Sequence, residues 1–181
     1  MSRYIALLRG INVGGKNLIK MADLKACFEQ HGFPGVVTYI QSGNVIFGST
    51  GSSPAELTEK IEKMLGGAFH YRASVVVRSH AQLRRIVDRA PEDLGRQPAR
   101  YRYDVLFLKP PLTASKAIKS VSTREGVDQV YAGTGVLYFS RLSSKASQSR
   151  LNRIASMPIY QNMTIRNWNT TTKLLQLMDG R

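Results

Sequence analysis

Short apolar runs punctuated by Gly, Pro and Ser divide the first half of the chain into elements. Tyr4–Leu8 is a continuous apolar run, the pattern of a buried strand, and Arg9–Asn17 after it is rich in glycine. Leu24, Cys27, Phe28 and His31 recur three and four apart, which predicts a helix whose apolar face they share. Gly32 and Pro34 end it. Val36–Ile40 and Val45–Phe47 predict two strands, and Gln41-Ser42-Gly43-Asn44 between them a tight hairpin turn. Ser53, Pro54 and Glu56 have the spacing of a capping box with proline in the first helical turn. Leu57, Ile61, Met64 and Leu65 form the buried stripe of that helix, which Gly66-Gly67 is expected to end. Ser74–Val77 reads as a β-branched strand. Ser79 with Gln82 opens a further helix carrying Leu83, Ile86 and Val87.

This order, β-α-β-β-α-β and then a helix, is the split βαβ plan of the ferredoxin-like motif. The second half repeats it. Arg102-Tyr103 followed by Val105–Leu108 echoes Arg3-Tyr4 followed by Ile5–Leu8. A helix around Ala114–Val121 follows. The pairs Tyr39/Tyr131, Gly43/Gly135 and Phe47/Phe139 keep one constant offset. A Ser- and Arg-rich helix with Leu151 and Ile154 inward, a strand at Met163–Ile165 and a last helix capped by Asn169 complete the repeat. A repeated period points to a repeated structural unit. The fold expected is α+β: two tandem ferredoxin-like halves, residues 1–90 and 91–181, each followed by an extra helix. The two halves could form one compact unit.

Composition narrows the class. The chain has 181 residues, 43% hydrophobic and 21% charged, a globular balance with enough length to bury a core. Apolar runs are far shorter than the ~20 residues of a membrane-spanning helix, and the first strand begins at Tyr4 without a leader. Cys27 is the only cysteine, which excludes an internal disulfide and a thiolate metal cluster. A reducing, cytoplasmic setting without membrane contact is the expectation.

Charge adds the first functional direction. Lys and Arg number 26 against 12 Asp and Glu, a net charge of +14. Both halves share the excess: residues 1–90 hold 12 basic and 6 acidic side chains, the remainder 14 and 6. No acid precedes Asp23, and none lies between Asp128 and Asp179. Such a field attracts polyanions at long range.

Two segments could hold an anion. Gly10-Ile11-Asn12-Val13-Gly14-Gly15-Lys16 follows a strand and fits the opening of a phosphate-binding G-x-x-x-x-G-K loop. Asn17 stands where that motif needs Ser or Thr for Mg²⁺, and the helical stripe begins too late. What survives is a glycine-rich turn whose N–H groups could face an anion beside Arg9 and Lys16. Topology brings that loop to the same end of the sheet as Ser42, Gly43 and Asn44. The second segment is Arg166-Asn167-Trp168-Asn169-Thr170-Thr171-Thr172-Lys173, where a strand meets a helix N-terminus beside the only tryptophan. For each segment, ordinary turn and cap chemistry is the competing explanation.

Three stretches together resemble the signature segments of domain-of-unknown-function family 1697. They are Tyr4-Ile-Ala-Leu-Leu-Arg-Gly-Ile-Asn-Val-Gly-Gly-Lys16, Gln41-Ser-Gly-Asn-Val45 and Thr164-Ile-Arg-Asn-Trp-Asn-Thr170 followed by Thr172-Lys-Leu174. The resemblance covers nearly the whole chain. It implies a bacterial protein of two related α+β halves with no established activity. It picks out Arg9, Gly10, Asn12, Gly14, Lys16, Ser42, Gly43, Asn44, Arg166, Asn167, Trp168, Thr170 and Lys173 as ligand-binding candidates.

Other chemistries find no support. His31, His70 and His80 share no metal-ligand spacing, and His31 is placed on the apolar face of its helix, at the core or its rim. There is no G-x-S-x-G. Acids are too few for two-metal or paired-carboxylate catalysis. No cofactor or metal is implied, and no catalytic residue stands out. The expectation is binding of a phosphate-bearing anion, most simply nucleic acid. The alternatives are a small enzyme acting on a phosphorylated or acyl-phosphate metabolite, and a protein-interaction or structural module.

Overall fold

A computed structural model describes residues 1–180. It contains eight strands and five α-helices among the described residues: β1 (Ser2–Leu8), α1 (Met21–Gln30), β2 (Val37–Tyr39), β3 (Asn44–Ser49), α2 (Pro54–Phe69), β4 (Val75–Ser79), α3 (His80–Asp88), β5 (Tyr101–Leu108), α4 (Ala114–Ser120), β6 (Asp128–Gly133), β7 (Val136–Leu142), β8 (Met163–Asn167) and α5 (Trp168–Met178). Two four-stranded antiparallel sheets form, in the orders β2-β3-β1-β4 and β6-β7-β5-β8. These are the ferredoxin-like order twice over, with α3 and α5 as the extra helices. The chain divides into two compact units: Met1–Leu83 with the stretch from Leu174 onward, and Arg84–Lys173.

In the first unit, alternation along β1 sends Tyr4, Ala6 and Leu8 into a core with Leu24, Cys27 and Phe28 of α1 and Leu57, Ile61 and Leu65 of α2. Phe28, Phe33 and Phe47 meet at ring-centroid distances of 4.8–5.5 Å. Phe28 and Phe47 are fully buried, each worth about 2–3 kcal/mol of hydrophobic stabilisation. Helix α2 opens as its sequence requires: the Ser53 side chain accepts from the Glu56 N–H, and the Glu56 carboxylate accepts from the Ser53 N–H at 2.7 Å. It does not end at Gly66-Gly67. It runs on to Phe69 and closes on His70, whose backbone is left-handed (φ 53°). Glycine lowers helix propensity by only about 1 kcal/mol, which the buried Met64 and Leu65 offset. His31 lies outside the core, exposed at the C-cap of α1 with Nδ1 2.8 Å from the Cys27 carbonyl oxygen.

In the second unit Leu106, Leu108, Leu137, Phe139 and Met163 of the sheet pack against Ala117 and Val121. The helix expected between β7 and β8 is instead three 3₁₀ turns, Ser143–Gln148, Arg150–Ser156 and Pro158–Asn162. Leu151 and Ile154 are nevertheless buried. Serines and asparagine compete for backbone groups here (Ser149 accepts from the Leu151 N–H, Asn152 donates to Ala146), and Pro158 interrupts the ladder.

Strand register makes the internal repeat specific. The Leu8 N–H donates to the Gly43 carbonyl at 2.8 Å, and the Leu108 N–H to the Gly135 carbonyl at 3.0 Å. Tyr4 faces Phe47 on one side and Ser79 on the other; Asp104 faces Phe139 and Asn167. Tyr4 therefore corresponds to Asp104, one residue beyond the match with Tyr103 that the sequence alone suggests.

Candidate functional site

The glycine-rich loop of the first unit is tied down by its asparagines. Gly10, Asn12, Gly14, Gly15 and Asn17 all have positive φ, between 48° and 74°. Asn12 Nδ2 donates to the carbonyls of Ile19 and Gln41 at 2.9 Å each, while its Oδ1 accepts from the Ile19 N–H at 2.8 Å. Asn17 Nδ2 donates to the Gly10 carbonyl at 2.9 Å, and the Lys16 N–H to the Val13 carbonyl at 3.1 Å. The loop and the 41–44 turn thus meet at one end of the sheet. Gly43 is where they touch: a Cβ there would lie 2.6 Å from Ile11 Cδ1 and 2.9 Å from Leu8 Cβ. Asn44 is fully buried, donating to the Tyr39 carbonyl and to Ser42 Oγ. Asn12, Gly43 and Asn44 therefore build the framework, while Gly10, Gly14 and Lys16 are exposed and Arg9 is half-buried.

In the second segment Arg166 is 7% exposed. Its Nη1 donates to Thr164 Oγ1 at 3.0 Å and to the Ile165 carbonyl at 2.9 Å, and burial pushes the guanidinium down to about 10. The residue that caps α5 is Asn167, not Asn169: its Oδ1 accepts from the Thr170 N–H at 2.7 Å. Strand β8 runs through Asn167 and the helix begins at once with Trp168, leaving Asn169 inside the first turn. Thr170 is buried, while Trp168 and Lys173 are half-buried.

Trp168 contributes to a cleft of about 350 Å³ in the second unit. Asn167 and Asn169 flank it; Tyr101, Arg102, Tyr103 and Asp104 of β5 and Arg141 of β7 form further walls, with Gly95 and Pro98 from the segment before β5. The rings of Tyr101 and Tyr103 lie 6.2 Å apart. Gly95 has φ +85° and sits against the indole, where a Cβ would fall 2.5 Å from Trp168 Nε1. Asp104 is 8% exposed. Its Oδ2 lies 3.3 Å from Arg141 Nη2. That is an electrostatic contact, not an aligned hydrogen bond: Asp104 Oδ2 and Arg141 Nε are both buried and have no hydrogen-bond partner among the described residues. Burial pushes the Asp104 carboxyl above the ordinary aspartate range, and Arg141 and Arg102 oppose this only in part.

The repeat has diverged at this point. The first unit fills the corresponding position with Tyr4, whose ring stacks on Phe47 at 5.9 Å and whose hydroxyl donates to the Ser52 carbonyl. In the second unit a short acid replaces the ring. Of the sequence-derived residues, Asn167 and Trp168 line the cleft. Asp104, Arg141, Tyr101, Tyr103 and Gly95 were not singled out. The available signal was Asp104, an acid inside a run of strand formers, where Asp is depleted.

Among the described residues no three His, Cys, Asp or Glu side chains are grouped so as to hold a metal ion, and no helix is long and apolar enough to cross a membrane. A family described as "Protein of unknown function (DUF1697)" matches residues 1–138. The solved structure of the conserved bacterial protein SP0830 from Streptococcus pneumoniae is similar to this one, with 30% sequence identity, a TM-score of 0.85 and 98% of each chain covered. No curated protein matches the chain.

Proposed function

Since the chain belongs to the DUF1697 family, a family of proteins of unknown function, we propose a function from its chemistry: binding of a phosphate-bearing anion, most simply nucleic acid. The observation that carries this reading is the cleft of the second unit, where Trp168, Tyr101 and Tyr103 stand beside Arg102 and Arg141. Aromatic faces stack bases of any sequence, and arginines pair with phosphate oxygens. The net charge of +14 supports it by attracting a polyanion, and the acid-free stretch between Asp128 and Asp179 includes Arg141 and Trp168. In the first unit, exposed Lys16 and the positive-φ turns beside it form a second basic surface.

The test uses the lone tryptophan. Titration with a short mixed-sequence RNA should quench Trp168 emission saturably, and affinity should fall more than about tenfold between about 50 and 200 mM salt, because phosphate contacts release counterions. No saturable change, or a Kd indifferent to salt, would overturn the reading.

The cleft's size supports a narrower second reading, an enzyme acting on a phosphorylated or acyl-phosphate metabolite, since about 350 Å³ lies in the small-ligand range. Asp104, buried with a raised pKa, is the candidate proton-transfer group. A screen of phosphorylated compounds yielding turnover that Asp104→Asn abolishes would favour it; a screen without turnover would remove it.

A further inference from the structure

Helix α2 runs through Gly66-Gly67, and the two glycines differ. A Cβ at Gly66 would touch the Tyr71 carbonyl oxygen at 3.6 Å, whereas one at Gly67 would meet nothing within 4 Å. Gly67 also lacks the positive φ that would strain an alanine. Neither backbone conformation nor close packing calls for glycine at this position, although glycine weakens a helix interior. What the missing side chain leaves is open space. Gly67, Ala68 and Met64 form the floor of a cleft of about 410 Å³ in the first unit, within the small-ligand range.

The rim of this cleft is cationic. Lys60 and Lys63 of α2 and His31 at the C-cap of α1 complete its lining. Lys60 Nζ sits 4.6 Å from the centroid of the Phe33 ring. His31 Nδ1, 2.8 Å from the Cys27 carbonyl oxygen, donates to it, since a carbonyl only accepts. Among the described residues neither lysine forms an ion pair, and no acid lines the cleft. Glu29 pairs with Lys25, Glu56 closes the capping box and Glu62 accepts from the Val75 N–H. Residues 60–68 lie inside α2, so their backbone N–H groups are used within the helix. The lining holds no arginine, hydroxyl or side-chain amide.

We propose that this cleft binds a small apolar acid, with an aliphatic or aromatic body on Met64, Gly67 and Ala68 and its carboxylate met by the ammonium groups of Lys60 and Lys63. The apolar floor demands the body and the unpaired lysines demand the charge. Two ammonium groups suit the two oxygens of a carboxylate; a phosphate, with three, calls for the arginine forks or backbone donors that this lining lacks. The glycine at 67 is then explained by the ligand it leaves room for. The site is independent of the nucleic-acid reading, which rests on other residues.

Nitrogen-edited NMR spectra of the full chain, titrated with octanoate, test this, with octanol, octylammonium and acetate for comparison. Octanoate should shift the amide resonances of His31 and residues 60–68 saturably, with a Kd of about 1 mM or below. Octanol, octylammonium and acetate should each bind at least about tenfold more weakly. Gly67→Leu should fill the cleft and weaken octanoate at least about tenfold, while its melting temperature stays at or above that of the unmodified chain, because leucine is the better helix former. Lys60→Gln combined with Lys63→Gln should bring octanoate down to the level of octanol. Octanol or acetate bound as tightly as octanoate, or shifts that miss these residues, overturns the proposal, and both are read on the unmodified chain whether or not the variants fold. Undiminished octanoate binding by a folded Gly67→Leu chain overturns it as well. The RNA titration, followed at Trp168, stands or falls separately.

Discussion

Arg78 and Arg166 occupy the same place in the two sheets. Arg78 pairs with Ile5 of β1, Arg166 with Val105 of β5, and each lies one residue before the cap of the following helix. Each is 7% exposed, and each donates from Nη1 to the carbonyl of the residue before it, at 2.9 Å. Burial pushes both guanidinium groups down to about 10, so both remain charged at neutral pH. A buried cation retained in both copies of a duplicated unit is a framework element. Arg166, a ligand-binding candidate in the sequence, is buried in the strand immediately before the Asn167 cap and Trp168.

Replacing either arginine should therefore act on stability. Arg166→Ala and Arg78→Ala are each expected to cost about 2–3 kcal/mol in urea denaturation, through lost stem packing and the lost hydrogen bonds to the Ile165 and Val77 carbonyls. The folded fraction of Arg166→Ala should bind RNA with nearly unchanged affinity. Full stability combined with lost binding would show that Arg166 touches the ligand after all.

The loop of the first unit should respond to its clasp and not to its charge. Asn12→Ala removes three hydrogen bonds and places alanine at φ 53°, for an expected loss of about 2 kcal/mol; Asn12→Gly keeps the backbone conformation and should cost less. Gly43→Ala should cost more than about 2 kcal/mol, since its Cβ would meet Ile11 and Leu8 as well as adopting φ +77°. Gly51→Ala, with φ +73° and open space around it, should cost only about 1 kcal/mol. Lys16→Ala should leave the thermal midpoint unchanged. Equal losses at Gly43 and Gly51 would refute the packing argument.

Asp104 gives stability a defined pH dependence. Its carboxyl titrates above the ordinary aspartate range because burial disfavours the charge. The protonated form is thus favoured by folding. That contribution is complete below the unfolded-state pKa of about 4 and is lost as pH rises through the folded value. Asparagine imitates the protonated group. The melting temperature of Asp104→Asn, relative to the unmodified chain, should rise with pH across the acid range and then level off. A difference that stays flat, or falls with pH, would show that Arg141 and Arg102 outweigh burial.

The sequence by itself determined the architecture, because local signals suffice for it. Apolar runs, turn glycines and the Ser53 capping box each act over a few residues, and the repeated strand pattern was visible in the Tyr39/Tyr131, Gly43/Gly135 and Phe47/Phe139 matches. Where local signals conflicted, packing decided: α2 passes through Gly66-Gly67 because Met64 and Leu65 are buried, and the serine-rich segment after β7 forms 3₁₀ turns. The cap of α5 moved from Asn169 to Asn167 because β8 extends to its end. Roles within the candidate site were beyond sequence reasoning. Arg9, Lys16, Arg141 and Arg166 read alike as cations; only the tertiary structure buries Arg166, exposes Lys16 and sets Arg141 against Asp104, 37 residues away in the chain. The physical reason is that burial and partner geometry depend on strand pairing between distant segments, and a side chain's chemistry follows from its surroundings more than from its type.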